Sequence, residues 1–158
     1  KKLMIKANVI ITNKNWKKHI RVPGLYINKK LEKIDKITKL FKKNNFNFTL
    51  SLSADSEVKK LNIKFRKKNK TTDILSFPFY ERKSLTKLFK KKKILIYLGD
   101  IIINLNKIKK EKKNENFHKS FDKIWIHGLV HLLGYRHKSN IDFSIMRKLE
   151  NKLLESVE

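Results

Sequence analysis

The sequence predicts one α+β domain in which a small mixed sheet of about four strands packs with four to five helices. The length of 158 residues suits a single compact domain. Segments with a period of two alternate along the chain with segments at helical spacing. No internal repeat and no linker rich in Pro, Gly or Ser interrupts them. The predicted domain therefore spans residues 1–158.

Four segments have the residue pattern of strands. Met4–Thr12 partly alternates between polar and apolar residues, and Phe46–Leu52 alternates cleanly, as expected for a strand with one buried face. Thr71–Phe79 is predicted as a third strand that ends at Pro78, because proline cannot donate to the ladder. Ile94–Ile103 is an apolar fourth strand. These segments would supply the sheet.

The first two helices are predicted from spacing and from capping residues. A turn at Pro23-Gly24 precedes Asn28, which is predicted to cap the first helix. Ser53 or Asp55 is predicted to cap a short second helix. The apolar positions at helical spacing are Leu31, Ile34, Ile37, Leu40 and Phe41 in the first and Val58, Leu61 and Phe65 in the second.

The second half of the chain contains the stronger helix signals. Lys83–Lys93 is highly charged and is predicted as an exposed loop or short helix, and Leu105–Lys113 is a weaker helical candidate. Phe117–Leu133 is predicted as a helix that ends near Gly134, which suits a left-handed position. Ser139–Asp142 resembles a capping box that begins the last helix. The predicted buried residues of that helix are Ile145, Met146, Leu149, Leu153 and Val157.

The net charge of +26, from 40 Lys and Arg against 14 Asp and Glu, indicates a class of partner. A basic surface attracts a polyanion because binding displaces counterions from the phosphates. The alternative is compositional drift, since Lys, Asn, Ile and Phe are abundant and the only alanines are Ala7 and Ala54. The charge therefore favours nucleic acid and indicates nothing finer.

The absence of cysteine excludes disulfides and thiolate metal sites together, which suits a reducing compartment. No stretch approaches the roughly 20 apolar residues that a membrane span needs. The basic N-terminal segment is followed neither by a long apolar core nor by a small-residue cleavage site. The chain is therefore predicted to be soluble and cytoplasmic.

Three of the five histidines form a candidate metal site. His127 and His131 are four residues apart, so on a helix they project from one face. Gly134 lets the chain reverse, and His137 could then return as a third ligand. Three imidazoles favour one zinc ion, or another divalent transition metal, with a position open for water that zinc would activate. His19 and His118 are interpreted as ordinary histidines.

The spacing H-x-x-x-H-x-x-G-x-x-H is also that of metzincin zinc peptidases. Those peptidases carry a glutamate base directly after the first histidine, where this chain has Gly128. Without that carboxylate the usual peptidase mechanism lacks its proton acceptor. The residues therefore predict a metal-dependent hydrolase, and a peptidase is the least favoured alternative.

Longer motifs surround these histidines. His127–His137 matches the signature H-G-x-L-H-L-x-G-Y-D-H. Two further blocks follow the same order and spacing, namely Leu61–Arg66 with Thr72–Pro78, and Leu98–Ile103. In these blocks, over roughly residues 46–155, the chain resembles the YbeY family of bacterial endoribonucleases, which act in ribosomal RNA maturation and ribosome quality control.

The resemblance implies an α+β fold, a bound metal usually taken as zinc, and single-strand-specific cleavage in maturation of the small-subunit rRNA 3′ end. It implies His127, His131 and His137 as ligands and Arg66 as a functional arginine, the four together forming the catalytic set. A guanidinium beside a metal could clamp a phosphodiester and stabilise developing charge. The implied partners are ribosomal RNA and the small ribosomal subunit, with a ribosome-assembly GTPase or a small-subunit protein as further candidates.

Two residues depart from the family signature. Val130 replaces the usual leucine, which is a conservative core change. Arg136 replaces the usual aspartate and puts a positive charge beside His137, where an acidic residue could orient an imidazole. Arg136 is compatible with contact to the RNA backbone and with weaker metal retention. It therefore keeps open a second hypothesis, a ribosome-assembly RNA-binding factor with a structural metal and little catalysis.

Several other polar and aromatic residues have candidate roles. Asp73 and Ser76 lie in a matched strand that could border the cleft, and Asp100 is predicted to close a Gly-Asp turn, although structural roles suit all three equally well. Three neighbouring aromatics could stack on unpaired bases, although core packing is favoured for the first two. They are Phe77, Phe79 and Tyr80. No general base is evident, so a metal-activated hydroxide and the 2′-hydroxyl of the RNA both remain possible nucleophiles.

Overall fold

The computed structural model of the chain describes residues 4–111, 116–136 and 138–158, without the side chains of 109–111. The strands are β1 Ile5–Ile11, β2 Asn45–Ser53, β3 Ile74–Pro78 and β4 Leu95–Asn104. The helices are α1 Pro23–Ile37, α2 Asp55–Arg66, α3 Arg82–Phe89, α4 Leu105–Glu111, α5 Phe117–Leu132 and α6 Asn140–Val157, with a 3₁₀ turn at Lys14–Lys18. The α+β prediction is confirmed. The described residues form six α-helices, more than predicted, because the charged segment after β3 contains α3.

The four strands form one mixed sheet in the order β1-β2-β4-β3. The first three run parallel, and β3 pairs antiparallel with β4. In β2 the apolar side chains Phe46, Phe48, Leu50 and Leu52 are buried, and polar residues alternate with them. This alternation directs one face of the sheet into the main core, as the sequence pattern predicts.

Helix α5 lies against the core face of the sheet and carries the predicted site. Its buried residues include Trp125 and Leu129, and it packs on β3, β4 and α6. Helix α2 lies on the opposite face, where Val58 packs against Leu75 and Ile102. None of the helices in the described ranges is long and apolar enough to cross a membrane.

The predicted start of α1 is wrong. The helix begins at Pro23, which tolerates the first helical position because the missing N–H has no acceptor there. The predicted Pro23-Gly24 turn is therefore the first turn of the helix. Asn28 lies inside α1, where its amide nitrogen donates to the carbonyls of Ala7 and Gly24 and its oxygen accepts from the amide of Ala7. Asn28 thus joins α1 to β1 instead of capping the helix.

Both caps predicted for α2 are also wrong. Ala54 precedes the helix without a side-chain cap, while the hydroxyl of Ser53 at the end of β2 contacts that of Thr12. Asp55 lies in the first turn, and its carboxylate accepts from the side-chain amides of Asn104 and Asn106, at 2.8 and 2.9 Å. The Asp55 side chain therefore links α2 to the start of α4.

One predicted core residue is exposed, and two predicted helix ends are confirmed. Ile145, which was predicted to be buried, is 50% exposed. Gly134 follows α5 with a φ of +94°, and the hydroxyl of Ser139 accepts from the amide of Asp142 at 3.1 Å. The local chemistry of these two helix ends can be inferred from the sequence, whereas the exposure of Ile145 depends on tertiary packing.

A buried polar cluster joins the N-terminal half of α5 to α1 and α6. The carboxylate of Asp122 accepts from the Tyr26 hydroxyl at 2.8 Å and from the Trp125 indole at 3.0 Å, and it pairs with Lys30. Lys30 also donates to the carbonyl of Val157 in α6. Burial and the neighbouring carboxylate raise the pKa of Tyr26 above its ordinary value. The cluster fixes three helices around the core.

We expect Asp122→Ala to lower the free energy of unfolding by about 3–5 kcal/mol, because it leaves the Lys30 ammonium without its carboxylate. Chemical denaturation followed by circular dichroism measures the effect. Glu155→Ala, an exposed carboxylate on α6, is the matched control and is expected to change stability by about 0.5 kcal/mol or less. A similar small loss for Asp122→Ala would contradict the structural importance of the cluster.

Candidate functional site

Helix α5 brings two of the predicted metal ligands together near its C-terminal end. The Nε2 atoms of His127 and His131 lie 3.0 Å apart. The Nδ1 atom of His127 is 2.6 Å from Oε1 of Glu150 in α6, and Nδ1 of His131 is 2.9 Å from the carbonyl oxygen of Tyr135. Each imidazole is therefore oriented by a hydrogen bond on the side away from the other ring.

These contacts determine which nitrogens can bind a metal. A backbone carbonyl and an ionised carboxylate only accept hydrogen bonds, so the Nδ1 atoms carry the protons. The two Nε2 atoms of His127 and His131 then face each other at 3.0 Å, a separation that either a shared proton or a metal ion between them explains. Tetrahedral zinc with bonds of about 2.0–2.1 Å places two ligand nitrogens about 3.3 Å apart, close to the observed separation. The pair therefore fits zinc or a similar divalent metal.

The third predicted ligand, His137, lies outside the described residues, and its role stays a prediction. Within 4–111, 116–136 and 138–158, the structure gathers no group of three or more His, Asp or Glu side chains that could hold a metal ion. The described part of the site is therefore a two-histidine half-site. A complete site of the predicted kind needs a further ligand from outside it.

The chain reverses at Gly134 after α5, as predicted, and Arg82 makes hydrogen bonds to this turn. The guanidinium of Arg82 donates to the carbonyl of Leu133 at 2.6 Å and to the hydroxyl of Tyr135 at 3.2 Å. A Cβ atom on Gly134 would lie 3.0 Å from the Arg82 Cα, so there is no space for a side chain. The positive φ of this residue also disfavours any residue other than glycine. Arg82 thus stabilises the turn whose carbonyl orients His131.

Gly128 is explained by close packing of α5 on the sheet. A Cβ atom at this position would lie 2.9 Å from Cδ1 of Ile74 and 3.0 Å from Cγ2 of Ile101. The position therefore faces β3 and β4, where a glutamate would have to displace both isoleucines. The packing gives a structural reason for the residue that disfavours a peptidase.

The two histidines lie in a cleft of about 640 Å³ that also contains the predicted arginine. Arg66 reaches it from the last turn of α2, donates to the carbonyl of Ser76 at 3.0 Å and stacks over Phe77 at 5.6 Å. The other cations that line the cleft are Lys68, Lys70 and Arg136. No carboxylate is among the described lining residues, so the cleft should attract a polyanion strongly.

The other polar candidates, Asp73, Ser76 and Asp100, lie in different places in the structure. Ser76 lines the cleft, but Asp73 lines a different cavity of about 280 Å³ together with Glu150 and His127. Asp100 lies within β4, in register with Thr49 and Phe77, so the predicted turn there is wrong. Its carboxylate accepts from the Tyr97 hydroxyl at 2.6 Å, and the pKa of Tyr97 is raised by burial and by that hydrogen bond. Asp100 thus has a local structural partner.

The three aromatic candidates differ in how far they are buried. Phe77 is half-buried and packs on Phe65 at 5.4 Å, which agrees with the core interpretation. Phe79 is 64% exposed, so its predicted core position is wrong, whereas Tyr80 packs against the main core.

The two histidines interpreted as ordinary lie at the other end of α5, next to aromatic rings. They are His19, stacked on Phe117, and His118, tilted against Tyr26.

Glu150 and Arg82 are site residues that no sequence motif indicated. Glu150 is 23 residues from His127 in the chain, and the two meet only because α6 packs on α5. Arg82 is one of 40 basic residues, and its contact with the turn depends on the position of α3.

We expect Glu150→Gln to weaken zinc binding about 10- to 100-fold, because a neutral amide orients and polarises the His127 ring less than a carboxylate does. Zinc affinity measured by competition with a chelator tests this. Glu155→Gln on the exposed side of the same helix should leave the affinity within twofold. Equal affinities for the two variants would show that the Glu150 contact does not tune the site.

Comparisons with known proteins identify the family. The family model of endoribonuclease YbeY matches residues 10–158. A Buchnera aphidicola protein named endoribonuclease YbeY is 42% identical over 136 residues, which cover 84% of this chain and 79% of that protein. One of the same name from Pelagibacter ubique is 38% identical and covers 98% of this chain and 97% of its own length. The solution structure of a Thermotoga maritima protein matches with a TM-score of 0.60 at 25% identity, covering 98% of this chain and 89% of that one. The chain belongs to the endoribonuclease YbeY family.

Proposed function

We propose that the protein is a metal-dependent endoribonuclease that cuts single-stranded RNA. The observation that carries the proposal is the meeting of the His127–His131 pair with Arg66 in one cleft lined by cations and by no described carboxylate. Family membership supports RNA as the substrate class. The net charge of +26 supports binding to the phosphate backbone.

The proposed cofactor is one zinc ion, or another divalent transition metal, held by His127, His131 and, from the sequence spacing, His137. When bound, it supplies Lewis acidity towards a phosphoryl oxygen. Arg66 holds a non-bridging phosphate oxygen through its planar fork and stabilises negative charge as it develops there. Glu150 and the Tyr135 carbonyl keep the imidazoles in the metal-binding tautomer.

Two nucleophiles are possible in the proposed reaction, and the chemical ends of the cleaved RNA distinguish them. The described cleft has no carboxylate to act as a general base, which is compatible with attack by activated water or by the RNA's own 2′-hydroxyl. Attack by the 2′-hydroxyl leaves a 2′,3′-cyclic phosphate, whereas direct attack by water does not. Mass spectrometry of the ends of a cleaved oligonucleotide separates the two routes.

The proposed biological role is maturation of the small-subunit rRNA 3′ end and ribosome quality control in the cytoplasm. The proposed partners are ribosomal RNA and the small ribosomal subunit, with a ribosome-assembly GTPase or a small-subunit protein as a further contact. The matched sequence blocks and the basic surface support this role. Small-subunit rRNA with an extended 3′ end should accumulate in cells depleted of the protein.

Arg136 supports a second candidate, a ribosome-assembly factor that binds RNA with a structural metal and cuts it little. This arginine lines the cleft where the family signature has aspartate, and a fixed cation there favours binding to phosphate. Metal-loaded protein that binds RNA tightly but leaves it intact would establish this candidate.

The deciding experiment is cleavage of a labelled 20-nucleotide RNA, alone and annealed to its complement, by the purified metal-loaded protein. We expect internal cuts in the single strand, little cutting of the duplex, and loss of cutting with a chelator that zinc restores. Cutting that is insensitive to chelation, or equal on both substrates, would contradict the proposal. Hydrolysis of a peptide library would revive the peptidase alternative.

A further inference from the structure

A second cavity of about 670 Å³ lies beside the histidine cleft at the turn after α5. Tyr135 and Arg136 line both spaces, so together they form a shared wall. An extended polymer that occupies the histidine cleft can therefore pass over this wall and stay on the protein. The second cavity is called the flanking subsite below.

The flanking subsite is lined by more cations than carboxylates. Its basic residues are Arg82, Lys83, Arg136 and Lys138, and its acidic residues are Glu81 and Asp142. Glu81 precedes α3 as its N-cap, and Asp142 lies in the first turn of α6. Helix N-termini carry partial positive charge, which offsets part of these two negative charges. The subsite therefore retains a net attraction for anions.

The same cavity has apolar surface beside its charges. Ile145 lines it and is half exposed. The ring of Tyr135 contributes a further wall, with the Arg82 guanidinium 4.3 Å from the ring centre. Apolar surface next to separated cations matches the chemistry of a nucleotide, which presents a flat base and an anionic phosphate.

We propose that the flanking subsite binds RNA next to the phosphodiester that is cut. Lys83, Lys138 and Arg136 contact backbone phosphates there, and Ile145 and Tyr135 contact a base. Arg82 holds the turn and leaves the other three cations to bind the strand. The inference rests on the proposed function and adds that a strand long enough to reach the flanking subsite binds more tightly than a shorter one.

The test compares the binding of two fluorescein-labelled oligouridylates, of 4 and 12 nucleotides, to the metal-loaded protein. Their 2′-hydroxyls are methylated to slow cleavage. The variant is the double substitution Lys83→Ala with Lys138→Ala. Each lost contact to a single-stranded phosphate should make the negative slope of log affinity against log salt shallower by about 0.7. We expect the variant to bind the 12-mer about tenfold more weakly at 0.1 M salt, and to weaken binding of the 4-mer far less.

The matched control is Lys17→Ala with Lys18→Ala, which removes the same charge from exposed lysines in the 3₁₀ turn. That turn packs through Trp16 on Phe117 and Phe121, at the opposite end of α5 from the histidines. An equal loss for control and variant, or equal losses on both oligonucleotides, would overturn the flanking subsite. If the wild-type protein cut RNA while the variant bound the 12-mer normally, the flanking subsite would be wrong and the proposed function would stand. If wild type bound neither oligonucleotide, the subsite and the proposed function would fall together.

Discussion

His131→Ala is expected to remove the bound metal and to lower RNA cleavage by roughly three orders of magnitude. The variant deletes one of the two Nε2 atoms that lie 3.0 Å apart, and it leaves only two of the three proposed imidazole ligands. Metal content of the purified protein and single-turnover cleavage of a labelled RNA measure the two effects. Circular dichroism establishes that the variant is folded.

His118→Ala is the matched control for this prediction. His118 is exposed in the first turn of the same helix, and we expect its replacement to leave metal content and cleavage within twofold. A His131→Ala protein that kept its metal and its cleavage rate would contradict the assignment of the histidine pair. A variant that lost metal but cut RNA normally would contradict the role of the metal in the reaction.

Arg66→Ala is expected to lower the rate of cleavage about 100- to 1,000-fold, with a smaller effect on RNA binding. Arg66 is exposed at the edge of the histidine cleft, where its guanidinium is positioned by the Ser76 carbonyl and the Phe77 ring. The prediction assumes that this group stabilises charge in the transition state. Single-turnover rates at saturating RNA separate that effect from binding.

Arg66→Lys and Lys60→Ala complete the test. Lysine keeps the charge but lacks the planar fork, so Arg66→Lys should recover only a small part of the rate. Lys60 lies on the same helix and is exposed away from the cleft, so Lys60→Ala should change the rate by less than twofold. If Arg66→Ala and Lys60→Ala behaved alike, Arg66 would be one basic surface residue among many.

The features predicted correctly from sequence are those that local chemistry determines. The alternation of Phe46 to Leu52 identified β2 and its buried face. The C-terminal end of α5 and the start of α6 followed from Gly134 and Ser139. The spacing of His127 and His131 placed both on one helical face, and the structure confirms that their rings meet. Each of these predictions needed only a few neighbouring residues.

The features missed are those that depend on distant segments. Asn28 has the side chain of a helix cap, but contacts with β1 use it instead. Glu150 and Arg82 join the site because α6 and α3 pack beside α5, and no local pattern records that contact. Phe79 has a core-type side chain, but it follows the end of β3 and remains exposed.

The most direct test of the metal-dependent nuclease is stepwise reconstitution of metal-free protein with zinc. Bound zinc per chain and the rate of single-stranded RNA cleavage are measured on the same samples. The rate should rise in proportion to bound zinc and level off at about one ion per chain, the capacity expected of a three-histidine site. Full cleavage by protein shown to be free of metal would contradict the proposed metal-dependent reaction.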